Sequence, residues 1–189
     1  MKTYLDWIRE TPVRDTYDNI RPDYDVEDPF SIRYRDSVIP SIVCNDGEHV
    51  SVQASETHYC MPRNNEETGW FEMEAGFPSC VPPLSWKEYT DGEWTTSLKK
   101  RLRNLWRATH SSASADIKYK ESGNYITKLF GGAWRGFRRG WYRFVRPAPC
   151  TSVYGYLPIE YVREFIDVHG GEDTDKCFDV LRKFGSNRD

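Results

Sequence analysis

Ser41-Ile42-Val43-Cys44-Asn45-Asp46-Gly47-Glu48-His49-Val50-Ser51-Val52-Gln53-Ala54 decides the fold. Asp-Gly between two runs of β-formers signals a hairpin, because a tight reversal needs residues that tolerate positive φ. On the second run Val50, Val52 and Ala54 alternate with Ser51, Gln53 and Ser55, which predicts one buried face and one polar face. Moving outward, residues 70–77 predict a third strand that stops at Pro78, and residues 152–157 predict a fourth bounded by Pro158.

Helical periodicity flanks these strands. Tyr4, Leu5, Trp7 and Ile8 predict a short amphipathic helix closed by Pro12. Residues 11–40 are acidic and punctuated by prolines, as an extended, loop-rich segment would be. After Pro158, the residues Ile159, Val162, Phe165 and Ile166 form one stripe that Gly170-Gly171 terminates. A last helix over 174–184 is expected to turn Cys177, Phe178, Val180, Leu181 and Phe184 inward, with Asp173 or Thr174 as its cap and residues 185–189 frayed. The fold class predicted is α+β: a small, mostly antiparallel sheet packed against C-terminal helices, in a single domain over residues 1–189.

The charge distribution adds a second theme. Residues 97–146 carry 13 of the 26 Lys and Arg and only two of the 29 acids, Asp116 and Glu121, a formal +11, whereas the remaining residues sum to −14. This stretch interrupts the α+β pattern between the third and fourth strands and reads as a basic, aromatic helical insertion in two pieces, joined by a loop at 110–114. In the first piece Leu98, Leu102, Leu105 and Trp106 share a face, with Lys99, Lys100, Arg101, Arg103 and Arg107 largely opposite. In the second, Ile126, Leu129, Phe130, Ala133, Trp134, Phe137, Trp141, Phe144 and Val145 recur every three or four residues among Arg135, Arg138, Arg139 and Arg143. Gly132, Gly136 and Gly140, four apart, would form a groove for a closely approaching helix, within this protein or from another.

Such an insertion points to binding rather than catalysis. The expected binding residues are Lys99, Lys100, Arg101, Arg103, Arg107, Trp134, Arg135, Arg138, Arg139, Trp141 and Arg143: cations neutralise phosphates while rings stack on bases. The expected partner is a host nucleic acid or nucleoprotein complex. One alternative is peripheral membrane binding, since a basic helix with Trp, Phe and Leu on its other face suits an anionic bilayer boundary. Another is an acidic surface, through Asp23, Asp25, Glu27 and Asp28, that blocks a basic host protein. A plain packing role, with the basic face solvated, stays open beside these.

Other chemistry is thinly represented. Cys44, Cys60, Cys80, Cys150 and Cys177 show no C-x-x-C pair, and His49, His58, His110 and His169 show no metal-ligand spacing, so no disulfide scaffold, metal or cofactor is expected. No segment has the length and hydropathy of a membrane span or the form of a signal peptide, and the cytoplasm is the expected location. His58 and Cys60 would share a strand face beside Glu56, the nearest approach to a nucleophilic arrangement; no enzyme activity is expected from it. Oligomeric state leaves no signature.

The blocks Val43-Cys44-Asn45-Asp46-Gly47, Ser51-Val52-Gln53-Ala54-Ser55, His58-Tyr59-Cys60-Met61-Pro62-Arg63, Glu74-Ala75-Gly76-Phe77-Pro78-Ser79, Val153-Tyr154-Gly155-Tyr156-Leu157-Pro158 and His169-Gly170-Gly171 resemble a pattern in small, uncharacterised bacteriophage and prophage accessory proteins. The resemblance covers roughly 41–80 and 150–171 and leaves out the basic insertion. It implies a phage origin and an accessory role in the infected host's cytoplasm, one form of which is inhibition of a host defence system. It implies no catalytic residue.

Overall fold

A computed structural model describes residues 2–15, 21–90, 94, 98–119, 124–145 and 148–187, with the backbone alone at 113, 115–117, 119, 139, 140, 142, 143 and 145. In chain order the elements are α1 (Tyr4–Glu10), β1 (Ile42–Val43), β2 (His49–Gln53), β3 (Glu72–Gly76), α2 (Leu98–Tyr119), α3 (Tyr125–Val145), β4 (Val153–Pro158), α4 (Ile159–Val168) and α5 (Thr174–Ser186). The fold is α+β. Two compact units divide the chain: Met1–Asp91 with Ser152–Asp189, and Gly92–Thr151.

The first unit is built on an antiparallel sheet of order β1-β2-β3-β4. The Asp46-Gly47 turn sets Ile42 opposite Val50, and Gly47 takes the positive φ of 92° that the reversal demands. Val52 then faces Ala75, and Met73 faces Leu157. Val50, Val52 and Ala54 are buried, as their alternation predicts. Gln53 departs from it: expected on the polar face, it is buried, and its amide closes two hydrogen bonds to the Ile39 backbone, accepting from N (3.1 Å) and donating to O (2.8 Å). Ser55 is buried too.

β4 does not keep a period of two. Its register against β3 shifts between Met73 and Ala75, so Tyr154 and Leu157, three apart, both point into the core. Two bulky residues adopt left-handed backbone: Tyr156 (φ 52°) on β4 and Phe77 (φ 51°) just past β3. Each is held there by its own N–H, donated to Tyr59 O and Ser152 O respectively.

The core rests on rings. Tyr4 stacks on Trp7 at 5.2 Å and meets Phe178 of α5 edge-on at 5.1 Å, while Trp86 meets Tyr154 at 5.0 Å and Phe165 of α4 at 5.5 Å. A capping box between Thr3 and Asp6 starts α1, and the Glu172 carboxylate accepts the N–H groups of Tyr4 and Leu5. Asp173 caps α5 through Lys176 N. Cys177, Phe178 and Leu181 are buried as expected, but Val180 is 37% exposed, because the stripe that contacts the core is narrower than five residues. The helix also continues through Gly185 and Ser186, where fraying was expected. Gly185 lies so close to the Tyr24 ring that an added Cβ would come within 2.7 Å of it, and that contact holds the helix end in place. Residues 188 and 189 of the expected frayed tail lie outside the described residues.

Arg35 sits in the middle of this core, fully buried. Its guanidinium donates to the carbonyls of Ile8 (3.1 Å), Thr11 (3.0 Å), Asp36 (3.2 Å) and Ala54 (2.8 Å), and lies 4.9 Å from the Trp70 ring centroid. Burial lowers its pKa to about 10. Arg35 thereby ties α1, the loop after it and the end of β2 into one unit.

The second unit contains a helical hairpin. α2 runs unbroken to Tyr119, straight through the loop expected at 110–114. Thr109 Oγ1 and His110 Nδ1 bond back to the carbonyls of Leu105 and Trp106 in their own helix, so these polar residues close the helix instead of interrupting it. Where α2 meets α3 at Gly136, the contact is made of small groups. A Cβ on Gly136 would lie within 2.8 Å of Thr109 Cα and Ser112 Cβ, and nearer still to the Ala108 carbonyl oxygen. Gly132 and Gly136 are both buried.

Candidate functional site

With small residues holding α2 and α3 together, the large apolar side chains are left outside. Leu98, Leu102 and Trp106 of α2 are 61%, 50% and 61% exposed; on α3, Ile126, Phe130 and Trp134 are 62%, 68% and 62% exposed. Of Leu98, Leu102, Leu105 and Trp106, which the helical period places on one face, only Leu105 is half-buried. A leucine or tryptophan cannot sit between two backbones as close as those at Gly136.

On α3 the exposed rings form a continuous ridge. Trp134 stacks on Phe137 at 6.0 Å, Phe137 on Trp141 at 5.6 Å and Trp141 on Phe144 at 5.4 Å, all within 30° of parallel. On α2 the Trp106 ring stacks on His110 at 3.9 Å. The stacked rings run as a contiguous strip along α3, unlike the singly scattered apolar residues of an ordinary surface.

The expected cations divide into groups. Lys99, Arg103, Arg107, Arg135 and Arg138 are exposed. Lys100 and Arg101 are half-buried, and the Arg101 guanidinium lies 5.1 Å from the Phe144 centroid, with its Nε enclosed and without a hydrogen-bond partner among the described residues. Arg101 thus joins the two helices more than it offers charge outward. The side chains of Arg139 and Arg143 lie outside the described residues. Trp134 and Trp141 both lie on the ridge, Trp141 at 47% exposure. Exposed on the two helices are thus Trp134, Trp141, Lys99, Arg103, Arg107, Arg135 and Arg138, together with the apolar Leu98, Leu102, Ile126 and Phe130. What identifies their outward position is the glycine spacing, which marks the opposite face as the close contact.

The acidic alternative looks different in place. Asp23, Asp25, Glu27 and Asp28 are exposed, but Asp23 accepts from Asp25 N and Asp28 from Phe30 N, so two of the four shape their own turns. His58 and Cys60 do not form a reacting pair. His58 Nδ1 bonds Ser55 Oγ at 2.6 Å, while the fully buried Cys60 thiol donates to Ser55 O and Pro62 O. Burial raises the Cys60 pKa, which keeps it an unreactive thiol. A constellation that sequence spacing did not reveal lies elsewhere in the first unit: Cys80 Sγ is 3.2 Å from His169 Nε2, and His169 Nδ1 is 2.6 Å from Asp46 Oδ2.

Among the described residues no three His, Cys, Asp or Glu side chains are grouped to hold a metal ion, and no helix is long and apolar enough to cross a membrane. Comparison with protein families, curated proteins and solved structures finds no match.

Proposed function

We propose that the hairpin unit is a docking arm that lays its aromatic ridge into the boundary region of an anionic lipid bilayer. The observation that carries this reading is the reversed packing of the hairpin. Small residues lie between the helices and Leu, Ile, Phe and Trp face outward, which is how helices associate when their surroundings are themselves apolar. The exposed cations suit the headgroup layer beside that ridge, and the aromatic rings suit the depth just below it. Each Lys or Arg near an anionic surface contributes about 1 kcal/mol. Lys99, Arg103, Arg107 and Arg138 together would favour anionic over zwitterionic lipid by about a thousandfold, on the order of 4 kcal/mol. In the infected cell implied by the phage resemblance, the inner face of the host membrane is such a surface.

A second reading, host nucleic acid or a nucleoprotein, draws on the ring ridge itself, since bases stack on aromatic faces beside Arg. The aliphatic members Leu98, Leu102 and Ile126 favour lipid, because they have no π face for a base to stack on and no charge for a phosphate. Co-sedimentation of the full chain with vesicles rich in phosphatidylserine, in parallel with binding to single- and double-stranded DNA and RNA across a salt series, separates the two. The lipid reading expects sedimentation that survives nuclease and a tryptophan emission shift to the blue; salt-sensitive nucleic-acid binding without vesicle binding would overturn it.

A further inference from the structure

The first unit brings together three side chains from distant stretches of chain. Asp46 lies in the β1–β2 turn, Cys80 follows β3, and His169 ends α4, 123 residues from Asp46 and 89 from Cys80. His169 Nδ1 donates to Asp46 Oδ2 (2.6 Å), which leaves Nε2 as the acceptor facing Cys80 Sγ at 3.2 Å. Thiol, imidazole and carboxylate in this order, each within hydrogen-bond reach of the next, form the arrangement of an activated nucleophile, with the base oriented by a third group.

Each member is also held from behind. Asp46 Oδ1 accepts Glu48 N at 2.9 Å, which fixes the carboxylate plane. The His169 ring packs against Phe165 at 4.7 Å, and the next residue is pinned by Asn45, whose side chain donates to Gly170 O (2.7 Å) while its N–H donates to Gly171 O (3.0 Å). Gly170 and Gly171 take φ of 80° and 89°, conformations that let the chain turn directly after the histidine. Beside Cys80, Ser79 N donates to His49 O and Ser79 Oγ accepts from His49 N, holding the cysteine's backbone against β2.

Accessibility separates this thiol from the others. Cys80 is half-buried, whereas Cys44, Cys60, Cys150 and Cys177 are buried, and burial pushes Cys44 and Cys177 up to about 12. Hydrogen bonding from backbone N–H of Glu48, followed by His169, lowers the Asp46 pKa, so the carboxylate is the form present at neutral pH.

We infer that Cys80 is the nucleophile, and His169 the general base, of an acyl-transfer site that accepts a carboxylic ester or another activated acyl group. In the first step the thiol proton passes from Sγ to His169 Nε2 as sulfur attacks the carbonyl carbon. The tetrahedral adduct then collapses by breaking the bond to the leaving oxygen, which takes that proton from Nε2. A water, giving a proton to the same nitrogen, adds to the thioester carbonyl; breakage of the C–S bond releases the acid and returns the proton to sulfur. Asp46 acts through His169 as a positioning residue. This site is built from residues of the first unit alone, and its reaction does not depend on the docking surface.

The test treats the full chain with 4-nitrophenyl acetate at neutral pH, follows nitrophenolate release and locates the acetyl group by mass spectrometry. The inference expects a single acetyl on Cys80, absent in Cys80→Ala. It expects His169→Gly to slow acetylation by about 10²-fold, the lower range of general-base contributions, with added imidazole restoring part of the rate. Asp46→Asn should slow acetylation as well, because the imidazole loses the carboxylate that orients it, and Asp46→Glu, which keeps a carboxylate, should restore part of the rate. A purely structural clamp makes the opposite forecast. Loosening it through His169→Gly would expose the thiol and hold or raise its labelling rate, with no effect of imidazole. That result, or acetylation of other groups with Cys80 untouched, would overturn the inference.

Discussion

Gly136→Ala is the sharpest perturbation of the hairpin, because the structure sets its sign against that of a neighbouring control. In an isolated helix the change would stabilise by about 1 kcal/mol, the difference in helix propensity between the two residues. Here the added methyl would come within 2.8 Å of Thr109 Cα and Ser112 Cβ and closer still to the Ala108 carbonyl oxygen. Two of those three atoms are backbone, so α2 and α3 must separate, and overpacking of that kind costs roughly 1–3 kcal/mol. The balance is a destabilisation of up to about 2 kcal/mol. Gly131→Ala, five residues earlier in α3, meets only the far end of the Arg135 side chain at 3.9 Å and should keep the full propensity gain. Hydrogen exchange followed by mass spectrometry on peptides from α2 and α3 reads the difference directly: faster exchange for Gly136→Ala, slower for Gly131→Ala. If both variants slowed exchange equally, the helices would not meet at Gly136 and the argument for an outward apolar ridge would fail with them.

Three further outcomes follow from the first unit. Arg35→Met leaves the carbonyls of Ile8, Thr11, Asp36 and Ala54 without their donor, and at roughly 1–3 kcal/mol for each unsatisfied group the loss should reach about 3 kcal/mol or more; a urea midpoint moved by an amount worth under 1 kcal/mol would refute it. Phe77→Asn should leave stability unchanged or raise it by about 1 kcal/mol, since Phe77 is 56% exposed and Asn accepts φ of 51° more readily. Stability should fall as pH rises from 9 toward 12. Over that window Cys44 and Cys177 stay protonated in the fold, with pKa values raised to about 12, while the same thiols ionise in the unfolded chain. Burial raises the Tyr4 and Tyr24 pKa values in the same sense; Arg35, lowered to about 10, opposes them above that pH, because its buried charge is relieved as it deprotonates. Denaturation midpoints measured across this range, with Cys44→Ala and Cys177→Ala flattening the fall, check the sign.

Local rules carried the sequence reading wherever local geometry decides the outcome. The Asp46-Gly47 turn, the alternation of Val50, Val52 and Ala54, and the stripe of Val162, Phe165 and Ile166 all fold as their periods imply. Period fails at β4, where a register shift buries Tyr154 and Leu157 together, and at Gln53, whose buried amide is satisfied by the backbone of Ile39, a loop residue outside its strand, and by Ser51 Oγ. The hairpin shows a deeper ambiguity. A 3.6-residue stripe identifies the apolar side of a helix without saying whether that side meets its own partner or something outside, and the small residues at Gly132 and Gly136 resolve it only once Ala108 and Ser112 are known to lie opposite. Cys80, His169 and Asp46 carry no spacing signal at all, since the fold alone brings them together.

The central claim is that the hairpin's outward ridge meets lipid, and tryptophan depth in a bilayer tests it most directly. Emission spectra of the wild-type chain with vesicles of phosphatidylcholine alone and with phosphatidylserine added, quenched by lipids brominated along the acyl chain, should show a blue shift and quenching only on anionic vesicles. Both signals should fall sharply in the double variant Trp134→Ala with Trp141→Ala, leaving the contribution of Trp106. No shift on anionic vesicles at low salt, with the hairpin folded, would contradict the account.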